Sequence, residues 1–174
     1  MPTDVGMYFW RKGDELFLFV SGRITATEAY SMYHHVAEWI EHNPCRSIFV
    51  DLDRTEYMDS TTIGTLIRLH KQQRSAGGAF FLCNLSPAVA EIIEKTKLNR
   101  YFSIIENEVL HNLEDEFLKK LPDHDGGDVD SSFVLDAHND ICKVRPELTP
   151  QFEVLLGVLR RQVSEEKGQS HKPI

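Results

Sequence analysis

The side chains best placed for chemistry are Asp59, Ser60, Thr61 and Thr62, a run of carboxylate and hydroxyls within EYMDSTTIGTL, where a helix opens. One such group suffices to cap a helix, because its oxygen accepts from an orphan N–H and complements the positive end of the dipole. Asp59 or Ser60 fills that role and leaves the others to be explained. Bare N–H donors at a helix start also seat a phosphate, and phosphorylation of a serine there adds about −1.5 to −2 charges. Ser60 directly follows an acid at the end of a central strand, where α/β proteins present functional groups. The residues alone therefore leave two readings open: capping, or a phosphoacceptor serine held open to solvent with Thr61 as the reserve acceptor.

Other candidate constellations are weaker. DHDGGDVD (123–130) repeats carboxylates as a calcium loop does, but the sixth and twelfth positions of an EF-hand starting at Asp123 hold Asp128 and Val134 instead of Gly and Glu. It reads as an acidic linker. His138, Asp140 and Cys142 alternate, yet on a helix they point in different directions and do not converge on one metal. His34 and His35 are adjacent helix positions that cannot share a face. No glycine-rich phosphate loop, GxSxG elbow or HExxH occurs, so no catalytic constellation and no cofactor is expected. A net charge of −8 argues against nucleic acid, which needs clustered Lys and Arg. No apolar run approaches the roughly 20 residues that span a bilayer, and MPTDVGMYFWRKGDE lacks a secretory signal pattern. Three cysteines without CxxC spacing suit a reducing cytoplasm, with Cys83 as a buried small hydrophobe.

The elements that must position the cluster follow from periodicity. MYFWRK (7–12) and ELFLFVSG (15–22), joined by Gly13-Asp14, predict a hairpin. Residues 24–43 carry a helical stripe at Ala29, Tyr33, Val36, Ala37 and Ile40, capped by Thr25 or Thr27 and stopped at Asn43-Pro44. CRSIFVDLD (45–53) and AFFLCNL (79–85) are continuous apolar runs suited to buried strands. Helices are predicted at 61–78, with an inner face of Ile63, Leu66, Ile67 and His70, at 86–98 behind Ser86-Pro87, and at 108–121, with a short strand at 101–105. This rhythm specifies an α/β fold with a mixed, mostly parallel sheet. After residue 121 the texture changes: 122–132 is an acidic flexible linker, 133–144 and 149–166 form a helical extension broken around Pro146, and 167–174 is a loose tail.

The stretch from Met58 to Ile104 resembles the second half of a STAS domain of the anti-sigma factor antagonists. The family's Asp-Ser at a strand–helix junction, then a small residue, an aliphatic and Gly, matches Asp59-Ser60 and Ile63-Gly64. A strand, Leu-Ser-Pro and a short helix ending before Phe102 matches 79–102, and FVSGRITATEAYSM resembles the segment between the second strand and first helix. The resemblance covers about residues 8–120. Thr62 departs from the Gly or Ala of many relatives and Thr25 from their Asp, which bears on partner identity rather than on fold.

The resemblance implies a cytoplasmic, non-enzymatic STAS-like switch in residues 1–121. Ser60 would be phosphorylated by a serine kinase that is also an anti-sigma factor, and a PP2C-type phosphatase would reverse the mark. Asp59, Ser60, Thr61 and Thr62 would contact that kinase while Ser60 is unmodified. The alternative is a STAS structural subunit of a membrane lipid-transport assembly of the ABC type, and a third reading, a ligand-sensing module, requires a sizeable internal pocket. The extension lies outside the resemblance. Its stripe of Phe152, Leu155, Leu156, Leu159 and Val163, widened by Val154 and Val158, must be covered. It packs on its own domain, forms a homodimer, or offers a groove to a partner.

Overall fold

The computed structural model describes residues 5–43, 45–111 and 117–169. Strands β1 (Gly6–Lys12) and β2 (Glu15–Ile24) form the opening hairpin, followed by helix α1 (Ala26–His42). Then come β3 (Ser47–Asp51), β4 (Thr55–Met58), α2 (Ser60–Ser75), β5 (Ala79–Cys83), α3 (Pro87–Lys95) and β6 (Ser103–Ile105). Short α4 (Glu108–His111) and β7 (Lys119–Lys120) precede the helices α5 (Ser131–Val144) and α6 (Thr149–Gln169). The main sheet runs β6-β5-β3-β2-β1-β7, parallel from β6 to β2 and antiparallel at β1 and β7.

Alternation along ELFLFV divides β2 between two layers. Leu16, Leu18 and Val20 join Ile48, Val50, Phe80 and Leu82 in a core under the helices, closed by Met32, Val36, Leu66, Ile67 and Ile93. Phe17 and Phe19 take the opposite face, where Trp10, Phe17, Phe49 and Phe81 stand in a row across four strands at centroid spacings of 5.1, 4.9 and 5.1 Å.

Two features depart from the predicted elements. Residues 108–121 are not one helix: α4 ends at His111, residues 112–116 lie outside the described residues, and Lys119-Lys120 pair with Phe9 and Tyr8 along the sheet edge. Backbone pairing to the free edge of β1, with Leu121 N–H donating to the Met7 carbonyl, outweighs the helical periodicity there. The second is β4, which pairs parallel with the far end of β2 past a register shift at Gly22-Arg23. Gly22 has φ +85°, and a Cβ there would lie 2.4 Å from Val5 Cγ1, so the bend requires glycine. The helix stop predicted at Pro44 lies outside the described residues; Asn43 is the C-cap of α1. Among the described residues, no helix is long and apolar enough to cross a membrane.

The extension packs back on the domain. Helix α5 crosses α2 so closely that a Cβ on Gly64 would sit 2.2 Å from the Ala137 carbonyl oxygen. Phe133 enters a cluster with Tyr30, Tyr33 and His34 of α1. Arg68–Asp136 at 3.3 Å and Lys71–Asp140 at 2.8 Å bridge α2 to α5. On α6, Leu156 and Leu159 are buried while Val154, Leu155 and Val158 stay exposed.

Candidate functional site at the mouth of α2

Because β4 lies beside the end of β2, the chain leaves both strands at neighbouring points, and the N-termini of α1 and α2 open side by side. Asp59 serves both. Its Oδ1 accepts from Thr62 N–H at 2.8 Å and from the Thr62 hydroxyl at 2.9 Å, while Oδ2 accepts from Ala26 N–H at 2.9 Å. One carboxylate thus neutralises two helix starts. Thr25 completes the α1 start with a capping box, its N–H and hydroxyl donating to Glu28 at 2.8 and 2.7 Å.

The four clustered side chains therefore have different duties. Thr62 is buried, and its hydroxyl lies within hydrogen-bonding distance of both Asp59 and the Ile24 carbonyl. Thr61 is buried, and its carbonyl accepts from the Thr65 hydroxyl at 2.8 Å. Ser60 is half-buried at the first position of α2, and its side chain takes no part in holding the helix mouth. It points instead at the extension: Ser60 Oγ lies 2.8 Å from His138 Nε2.

His138 is 1% exposed and edge-on to Phe152, with ring centroids 5.0 Å apart. Its Nδ1 lies 2.8 Å from the Val134 carbonyl oxygen, which can only accept, so Nδ1 carries the proton and Nε2 of the neutral ring is an acceptor. The Ser60 hydroxyl accordingly donates to His138. The expected solvent-open serine is thus corrected: the hydroxyl is engaged by a residue 78 positions away, because α5 lies over the first turns of α2. In the sequence His138 stands out only beside Asp140 and Cys142, as a metal set that a helix does not bring together. The available hint was the pairing of two small residues, Gly64 and Ala137, each suited to a close helix crossing. Asp140 and Cys142 do not join it; Asp140 turns to Lys71.

Electrostatics separate this mouth from the core behind it. Cys83 is fully buried and its thiol is pushed up to about 12 by burial, with Asp51 and Glu106 adding to the effect, so it is no nucleophile. Further along α2, burial holds His70 below its ordinary value of 6.5, with Arg74 adding to the effect, and its Nδ1 lies 3.0 Å from the Tyr101 hydroxyl.

A strand-to-helix mouth of this kind, on a mixed sheet covered by α1, α2 and α3, matches the STAS domain family model over residues 11–111, more than half of the chain. The chain belongs to the STAS family. An anti-sigma F factor antagonist of Paenibacillus polymyxa is 24% identical over 94 residues, covering 54% of this chain and 80% of that protein. The structure of the phosphorylated Bacillus cell fate determinant SpoIIAA superimposes with a TM-score of 0.53 at 13% identity, covering 61% of this chain and 95% of that one. The unphosphorylated form of SpoIIAA gives 0.56 at 14% identity, covering 61% and 91%. A STAS domain protein from Planctomyces limnophilus gives 0.53 at 18%, covering 62% and 95%. The STAS match ends at residue 111, so α5, α6 and His138 lie beyond the matched region.

Proposed function

We propose that this STAS protein is a phosphorylation-switched anti-sigma factor antagonist, with Ser60 as the acceptor. One observation carries the reading: in the cluster at the mouth of α2, Asp59 and Thr62 hold the backbone, Thr61 is buried, and the Ser60 side chain has no capping duty. Ser60 can be modified or replaced without dismantling the helix start. The Asp-Ser step and Gly64 fit the family's pattern, and the similarity to an anti-sigma F factor antagonist supports the same role. In this reading unmodified Ser60, beside Asp59, belongs to the surface recognised by an anti-sigma serine kinase, whereas Thr61 and Thr62, expected from the sequence to share that contact, are buried and do not. A phosphate disrupts that recognition by repulsion and desolvation, and a PP2C-type phosphatase restores it. The protein acts by binding in the cytoplasm rather than by catalysis.

The test is the pair Ser60→Ala and Ser60→Asp in the full chain, used to capture partners from the host. The proposal expects Ser60→Ala to retain an anti-sigma serine kinase and Ser60→Asp to lose it. Equal capture by both variants rejects the switch. Recovery of an ABC transporter ATPase in place of a kinase favours the lipid-transport reading.

A further inference from the structure

We infer that the α5–α6 hairpin is a cover acting in cis on Ser60: docked, it withholds the serine from a modifying enzyme, and a phosphoryl group on Ser60 forces it to lift. The inference rests on the reading of Ser60 as the acceptor and adds a regulatory layer that the STAS domain alone does not contain.

Three observations carry it. The first is space. At 2.8 Å, the gap between Ser60 Oγ and His138 Nε2 holds one hydrogen and cannot hold a phosphorus with three oxygens. The ring cannot swing aside, because it is 1% exposed, packed on Phe152 and tied to the Val134 carbonyl. Protonating the imidazole would favour a phosphate but would not make room for it.

The second is leverage. Gly64 lies one turn beyond Ser60, and there α2 and α5 are in contact at the backbone, with the Ala137 carbonyl occupying the place of a Cβ. A helix seated this closely cannot yield locally at His138, one residue further on. It stays down or comes away as a unit.

The third is that the hairpin hangs on an irregular connection and is tied to α2 by ion pairs that solvent can reach. Arg68–Asp136 bridges the helices from partly exposed positions, where an ion pair holds weakly and is screened by salt, and Lys71 reaches the buried Asp140 carboxylate from an exposed position. The connection from Pro122 to Asp130 has no regular secondary structure. It is fastened by the Ser31 hydroxyl donating to the Pro122 carbonyl at 2.6 Å and by contacts of His124, whose ring packs on Tyr30. The occupant is the chain's own hairpin, seated with Phe133 and Ile141 buried against α1 and the main core.

The experiment uses the full chain in two arms. In one, phosphoserine is installed at position 60 during translation and hydrogen exchange is followed by peptide. Exchange over 131–144 should rise about tenfold or more while the β3 and β5 peptides stay unchanged. Unchanged protection of α5 with the phosphate in place overturns the inference. In the second arm, Ser60→Cys is labelled with a bulky maleimide and read by peptide mass spectrometry. Adding Lys71→Glu, which sets a carboxylate against Asp140 from an exposed position, or Gly64→Ala should speed labelling of position 60 about tenfold or more. Equal rates in all three chains overturn the cover. A rate that falls as protein concentration rises overturns the cis assignment in favour of an exchanged dimer. Neither arm needs a kinase, so failure of the proposed function would appear separately, as a wild-type chain never phosphorylated on Ser60 in its host.

Discussion

Asp59 shows how one side chain can decide a site. Its two oxygens answer three donors from two helices, so its removal unties α1 from α2 as well as uncapping α2. Asp59→Ala should destabilise the chain by about 1–3 kcal/mol in chemical denaturation. Asp59→Asn should fall between, because an amide keeps one acceptor and turns N–H against N–H at Ala26. His70 sets a pH dependence. Its folded form takes up a proton less readily than the unfolded chain, because burial disfavours the charge and Arg74 repels it. As pH falls below about 6.5, the unfolded state binds a proton that the folded state refuses, so stability declines until the lowered folded value is passed and is level above that window. His34 is lowered by burial and then by Arg68, which adds in the same direction. Denaturation midpoints against pH should show this decline, and His70→Phe should flatten it.

At the scale of elements, close approaches fix the packing of α2 at both ends. Near its C-terminus a Cβ on Gly78 would lie 1.9 Å from Gln73 Nε2, which donates to the Cys45 carbonyl at 2.8 Å. Gly78→Ala should therefore expel Gln73 from a fully buried site and cost about 1–3 kcal/mol in thermal or urea unfolding, without altering the mouth of α2. That mouth lies at the opposite end of the helix, so partner capture through Ser60 should be unaffected by the variant.

Most of these elements are legible in the sequence, for identifiable reasons. The continuous apolar runs of β3 and β5, the Ser86-Pro87 start of α3 and the stripe of α1 are local signals, and each element appears where its pattern predicts. Strand β4 is not legible, because it is four residues long, leaves Glu56 and Tyr57 exposed, and exists only by pairing beyond the Gly22 bend. At the site, the Asp59–Ser60 step is readable from the chain alone. The Asp59 bridge to Ala26 and the Ser60–His138 contact are not, since they join residues 33 and 78 positions apart.

Across the whole molecule, the sheet and its helices bring α1 and α2 to a shared mouth, and the extension returns over α2 to meet it. The exposed Val154, Leu155 and Val158 leave an apolar strip on the outer side of α6, away from the buried Leu156 and Leu159. The central claim is that this architecture serves a modification of one serine. Phosphopeptide mass spectrometry on the full chain recovered from its host tests it most directly. The account predicts phosphate on Ser60, with Thr61 and Thr62 unmodified. Phosphate confined to another residue, or its absence from Ser60 in cells where the cognate kinase is active, would contradict it.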